Sequence, residues 1–188
     1  MNRLMAILPA FIGLVLAAEP GRAAEKVAVR LGDITISYDP ARWRGVDEKA
    51  VPLSVHDRTK RQSIRYFSCI APECPDEPVV WASARPLADA GQDKPASGFE
   101  AWHTGVRPMP GLPPAGKDFG GLTLTGRILL SGCRARTPIE RLASGSSGAF
   151  VYTFGSGANV GCSGVEGVPE EMFLELLGGI SVEPEPKR

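Results

Sequence analysis

Four cysteines and two histidines are the residues of this sequence with the widest chemical options. Cys69 and Cys74 stand five apart in FSCIAPECPD, while Cys133 and Cys162 each follow a glycine. His56 lies in the charged run HDRTKR, and His103 follows Trp102. Thiolates bind zinc, exchange electrons or attack carbonyls, and imidazole serves as base or ligand. The spacing narrows these options. A zinc knuckle pairs Cys-x2–4-Cys with a second such pair or with close histidines; Cys133 and Cys162 are too far apart to form one. A redox pair needs Cys-x-x-Cys at a helix start. A hydrolase using His56, with Asp57 to orient it, or using His103, is one alternative function. A metal carrier through the cysteines is another.

The N-terminus decides how the thiols are read. Arg3 precedes an almost wholly apolar run from Leu4 to Ala18, and small residues follow at Gly21, Ala23 and Ala24. This is the layout of a secretory signal peptide, with cleavage after Ala23, or after Ala17 or Ala18. The run of about 15 residues falls short of the roughly 20 that span a bilayer, and no integral membrane segment is expected after cleavage. Residues 1–23 are therefore the expected signal peptide and 24–188 a single domain. Its expected location is the periplasm or outside the cell. In an oxidising compartment an even cysteine count reads as disulfides. Four cysteines allow three connectivities. Cys69–Cys74 and Cys133–Cys162 are preferred, because Pro72 and Pro75 favour a turn and the other pair ends two strand-like runs.

The charge balance excludes one partner class. The 21 Lys+Arg and 21 Asp+Glu cancel, and removing Arg3, Arg22 and Glu19 with the leader leaves the chain near neutral. Nucleic-acid binders need a net basic face, so no nucleic acid is expected. Arg58, Lys60 and Arg61 form a local basic tip. Enzyme motifs are scarce. GSSG at 145–148 lacks the nucleophile-elbow spacing, Gly155-x-Gly157 lacks a strand–turn–helix context, and no cofactor is implied.

The elements that must position these residues are mostly strands. VAVRLGDITISY alternates as one strand with a kink at Gly32-Asp33, and ARWRGV reads as one helical turn with Trp43 pointing inward. Residues 50–55 and 62–69 form a candidate hairpin around HDRTKR. PVVWASARPL, LTLTGRILL, CRARTPIERL and AFVYTFG are further strands, with ASGSSG turning between the last two. Ser97 caps an expected short helix through FEAWH, closed by Glu100. Residues 107–121 form a long Pro/Gly-rich loop, a length that in small domains marks function or mobility. After Pro169, Met172, Phe173, Leu176 and Leu177 form the apolar stripe of a helix ended by Gly178-Gly179. ISVEP closes the sequence of elements.

The pattern predicts an α+β fold, a mainly antiparallel sheet with a C-terminal helix and one or two short helices packed on it. ITISYDPARW and PEEMFLELLGGISV resemble the two ends of Mog1/PsbP-like domains. That resemblance implies a non-enzymatic assembly or binding module. The function expected on these grounds is an exported, non-catalytic binding or assembly accessory protein of the bacterial envelope, with an envelope protein as its partner. The sequence does not fix an oligomeric state.

Overall fold

The computed structural model describes residues 25–47, 63–74, 76–89, 103–131, 138–157 and 167–183. Within them the chain forms β1 (Val27–Leu31), β2 (Ile34–Tyr38), β3 (Trp43–Val46), β4 (Ser63–Cys69) and β5 (Val79–Pro86). There follow β6 (His103–Pro108), β7 (Lys117–Phe119), β8 (Leu122–Ser131), β9 (Pro138–Ser146) and β10 (Phe150–Ser156). Helix α1 (Glu170–Leu177) and strand β11 (Ile180–Val182) complete the order.

The strands form two antiparallel sheets. The smaller has the order β1-β2-β11. The larger runs β3-β4-β5-β10-β9-β8-β6, with β7 paired to β8. One core joins them. Leu31, Ile34 and Ile36 of the small sheet meet Phe67, Val80, Ala82, Leu124, Ile128, Ala143 and Phe154 of the large one. Tyr38 stands edge-on to Phe67, ring centroids 5.5 Å apart. The α1 stripe of Met172, Phe173, Leu176 and Leu177 is buried in the same core, as its spacing predicts.

The expected α+β class is corrected. Strands take 58% of the described residues and helical turns 10%, and α1 is the only α-helix among them. Two local readings account for much of the difference. ARWRGV is a turn followed by β3, not a helical turn. An isolated helical turn fixes several residues for a single hydrogen bond, whereas the edge of β4 offers a ladder from Trp43↔Cys69 to Val46↔Tyr66. The expected Ser97-capped helix lies largely outside the described residues, and its last residue, His103, opens β6.

VAVRLGDITISY is a hairpin rather than one kinked strand. Gly32 has φ +63, a left-handed conformation that glycine adopts without a Cβ penalty, and Leu31↔Ile34 close the ladder around it. The 107–121 stretch is built into the fold. Met109 and Leu112 form a bridge and are fully buried, and β7 follows. The hairpin expected over residues 50–69 is described only in β4.

The cysteine turn is held from several sides. Cys69 and Cys74 are joined, their Cα atoms 5.9 Å apart. The Cys74 N–H donates to the Ala71 carbonyl at 2.9 Å, which puts Pro72 at the turn position that a fixed φ favours. The Ile70 N–H donates to the Arg42 carbonyl at 2.9 Å. The Arg42 side chain binds Glu73 at 3.3 Å and Glu175 of α1 at 3.0 Å. Closing so short a loop contributes about 2 kcal/mol in the chain-entropy account. Replacing both cysteines by serine is expected to lower stability by about that amount, read from the shift of a urea midpoint. An unchanged midpoint would assign the turn's stability to Arg42 and the backbone bonds instead.

Candidate functional site

Strand alternation divides the large sheet into a core face and an outer face. Ala143 on β9 and Ile128 on β8 are buried in the core. Glu140, Leu142 and Ser144 on β9, and Thr125, Arg127 and Leu129 on β8, therefore share the opposite face. Register aligns them in rows. Tyr66, Trp81, Gly155, Leu142, Arg127 and Pro108 succeed one another across six strands. The Trp81 indole lies over Gly155, where a Cβ would overlap it. Ile64, Ser83, Thr153, Ser144 and Thr125 form the neighbouring row.

One end of this face carries a cleft of about 430 Å³. Val106, Arg107 and Pro108 come from β6, Thr125, Gly126 and Arg127 from β8, Ser144 from β9, and Pro114 from the turn before β7. The backbone explains the wall. The Met109 N–H donates to the Gly126 carbonyl, and the Gly126 N–H donates to that of Leu112. These bonds hold the 109–116 turn against β8. β6 pairs with β8 alone among the described strands, so Val106, 60% exposed, stands at the sheet's edge. A volume of this size lies within the range of small-molecule sites.

Glu140 lies beside the cleft. It is 2% exposed, opposite Leu129 in the ladder, and its Oε2 has no hydrogen-bond partner. Burial pushes its carboxyl up to about 7, and the positive charge of Arg127 opposes that rise. A carboxyl so placed resists ionisation because it has lost water and its Oε2 has gained no donor.

The residues singled out by sequence do not assemble into this site. Cys69 and Cys74 are bonded to each other and offer no thiolate to a metal. Cys133, Cys162, His56 and the basic tip of Arg58, Lys60 and Arg61 lie outside the described residues. His103 opens β6 opposite Ser131. Among the described residues no group of three or more His, Cys, Asp or Glu is placed to hold a metal ion. No helix among them is long and apolar enough to cross a membrane.

A second polar cluster joins Asp33, Ser147 and Tyr152. The Ser147 hydroxyl donates to Asp33 Oδ2 at 2.7 Å and accepts the N–H groups of Ala149 and Phe150. The Tyr152 hydroxyl donates to Asp33 Oδ1 and accepts the Asp33 N–H at 3.0 Å. Burial, then the hydrogen bond to Asp33, raises the Tyr152 pKa far above its usual value. Each group is committed to its neighbours, so the cluster is a clasp between the β1–β2 and β9–β10 turns. The expected ASGSSG turn is shorter than its sequence suggests: residues up to Ser146 belong to β9, and the turn is Ser147 to Ala149.

Sequence reading missed Arg107, Arg127, Thr125 and Ser144 as a group, because β8 and its two neighbours bring them together from distant segments. The alternation within β8 and β9 was the available signal, since it places Thr125, Arg127 and Ser144 opposite the apolar positions. Comparisons of this chain with family models, with curated proteins and with solved structures found no match.

Proposed function

We propose that this protein is an exported, non-catalytic binding or assembly module of the bacterial envelope, acting in the periplasm or outside the cell. Its ligand or partner engages the cleft between β6, β8 and β9. The observation that carries this reading is the cleft itself, which opens on the face turned away from the core and is walled by strand residues. A rigid strand framework presets a binding surface, so little order has to be imposed on association. The leader-like N-terminus and the Cys69–Cys74 bond support an oxidising location. The likeness of the chain's ends to Mog1/PsbP-like domains supports a non-enzymatic role. Those two ends pack together here, with β11 beside β2 and the Trp43 indole N–H on Glu175 at 3.2 Å.

The test compares the exported protein with Ser144→Trp, a change at an exposed position that fills the cleft. Each is incubated with envelope extract and recovered, and the retained proteins and small molecules are identified. The native protein is expected to retain a component that the variant loses, with both equally folded. Identical sets from the two proteins would sink the cleft as the binding surface.

A further inference from the structure

Strand β6 ends the large sheet, and among the described strands it pairs with β8 alone. The Met109 N–H donates to the Gly126 carbonyl across that pair. In an antiparallel ladder, successive residues turn their N–H and C=O alternately toward and away from the neighbouring strand. Arg107, opposite Ile128, therefore directs its backbone at β8. Val106 and Pro108, opposite Leu129 and Arg127, direct theirs at the open side. Pro108 fits that place, since proline has no N–H to give to an inner ladder. Side chains alternate too. Val106 and Pro108 lie on the outer face with the cleft, and Arg107 lies on the opposite face with the core-facing Ile128. Val106 is 60% exposed, more than any other large apolar residue described. On these grounds we infer that β6 takes up an extended peptide as an added strand, with an apolar side chain over Val106 beside the cleft and a neighbouring acidic side chain against Arg107 on the other face.

This inference rests on the binding reading above and names the kind of partner. In strand addition the main chain of an open edge supplies affinity, and the surfaces flanking it read alternate side chains of the guest. The Val106 N–H and C=O and the Pro108 C=O are the groups that β6 offers. On the outer face Val106, Pro108 and Pro114 give the cleft an apolar wall. On the other face Arg107 is exposed, and none of the ion pairs among the described residues engages it. Neighbouring guest residues point to opposite faces, so one apolar–acidic dipeptide serves both. Charge also selects against a second copy of β6. Antiparallel pairing of two copies about Val106 would set both Arg107 side chains on one face at diagonal positions, about 7–8 Å apart, where they repel.

The experiment titrates three short capped peptides into isotopically labelled exported protein: alternating Val and Glu, alternating Val and Lys, and the Val/Glu peptide N-methylated at every residue. Binding is followed by the amide shifts of residues 105–107. The Val/Glu peptide is expected to bind about fivefold or more tightly than the Val/Lys peptide at low salt, and the N-methylated peptide to lose that binding. Val106→Pro removes an N–H that points away from β8. It is expected to weaken Val/Glu binding by about tenfold or more while the spectrum stays dispersed. Arg107→Ala is expected to keep binding and lose the preference for Glu over Lys. Equal binding of the native and N-methylated peptides would overturn strand addition, whether or not Val106→Pro folds. Equal binding of the Val/Glu and Val/Lys peptides would overturn the acidic partner. Amide shifts at 105–107 that grow with protein concentration alone would make a second copy the occupant and overturn the peptide. If no peptide moves these amides the inference falls, and the capture experiment with Ser144→Trp still judges the binding reading.

Discussion

Glu140→Gln is expected to stabilise the protein at pH 8 by on the order of 3 kcal/mol and to change little near pH 4. The buried carboxyl titrates near 7 in the fold instead of 4.5. Between these values the folded state holds a proton that the unfolded chain has released. Stability therefore falls as pH rises through that window and is flat above it. Glutamine has no proton to lose, so its curve lacks this fall. Urea denaturation of both proteins at pH 4, 6 and 8 measures the difference, in which the other carboxyls cancel. Parallel curves would show that Glu140 ionises in the fold as it does in water. Arg127 supplies an internal check. Its charge lowers the Glu140 value, so Arg127→Ala is expected to extend the window to higher pH.

The second large effect is expected at Trp43. It is 1% exposed, pairs with Cys69 across the β3–β4 ladder, and reaches Glu175 of α1 with its indole N–H. Trp43→Ala is expected to cost about 3–5 kcal/mol, the range for emptying a large aromatic site in a core. Trp43→Phe keeps most of the apolar contact and loses the hydrogen bond. It is expected to cost about 1 kcal/mol for that bond, with a further term for the smaller ring. The two variants, compared by urea midpoint, separate filling from bonding. Equal losses in both would assign the role of Trp43 to its bond with Glu175 alone.

Legibility in the sequence followed the range of the interaction. The buried residues of α1 were readable because a helix repeats its apolar stripe over two turns. The large-sheet strands were readable because β4, β5, β8 and β10 are runs of seven or more residues rich in β-branched and aromatic side chains. Phe67 and Cys69 face the core, and Tyr66, on the opposite face, is buried outside that cluster. Four residues from Trp43 to Val46 carry no usable period, and their state is set by the edge of β4. The β1–β2 turn left a mark at Gly32-Asp33, where the apolar positions change phase from 27, 29 and 31 to 34, 36 and 38, but a kink in one strand produces the same change.

The cleft was less legible still. Its lining comes from three strands and a turn spread from Val106 to Ser144, and no local pattern joins them. Nothing beside Val106 or Arg127 in sequence marks that β6 and β8 bring them to one cleft. Glu140 likewise reads as an ordinary polar position in a strand, since alternation places it off the core without saying that its face is covered.

The position of β2 bears on the timing of folding. It lies between the first described strand and the last, so a chain emerging from its N-terminus can zip β1 to β2 early but must wait for β11. During that interval one flank of β2 has free N–H and C=O groups, and the Leu31, Ile34 and Ile36 side chains lack the cover of α1. Such an open edge invites pairing with a neighbouring chain. Late closure over so long a separation also slows folding. A product truncated before Glu170 would keep that edge open permanently, and its expected fate is aggregation or proteolysis rather than a partly working domain.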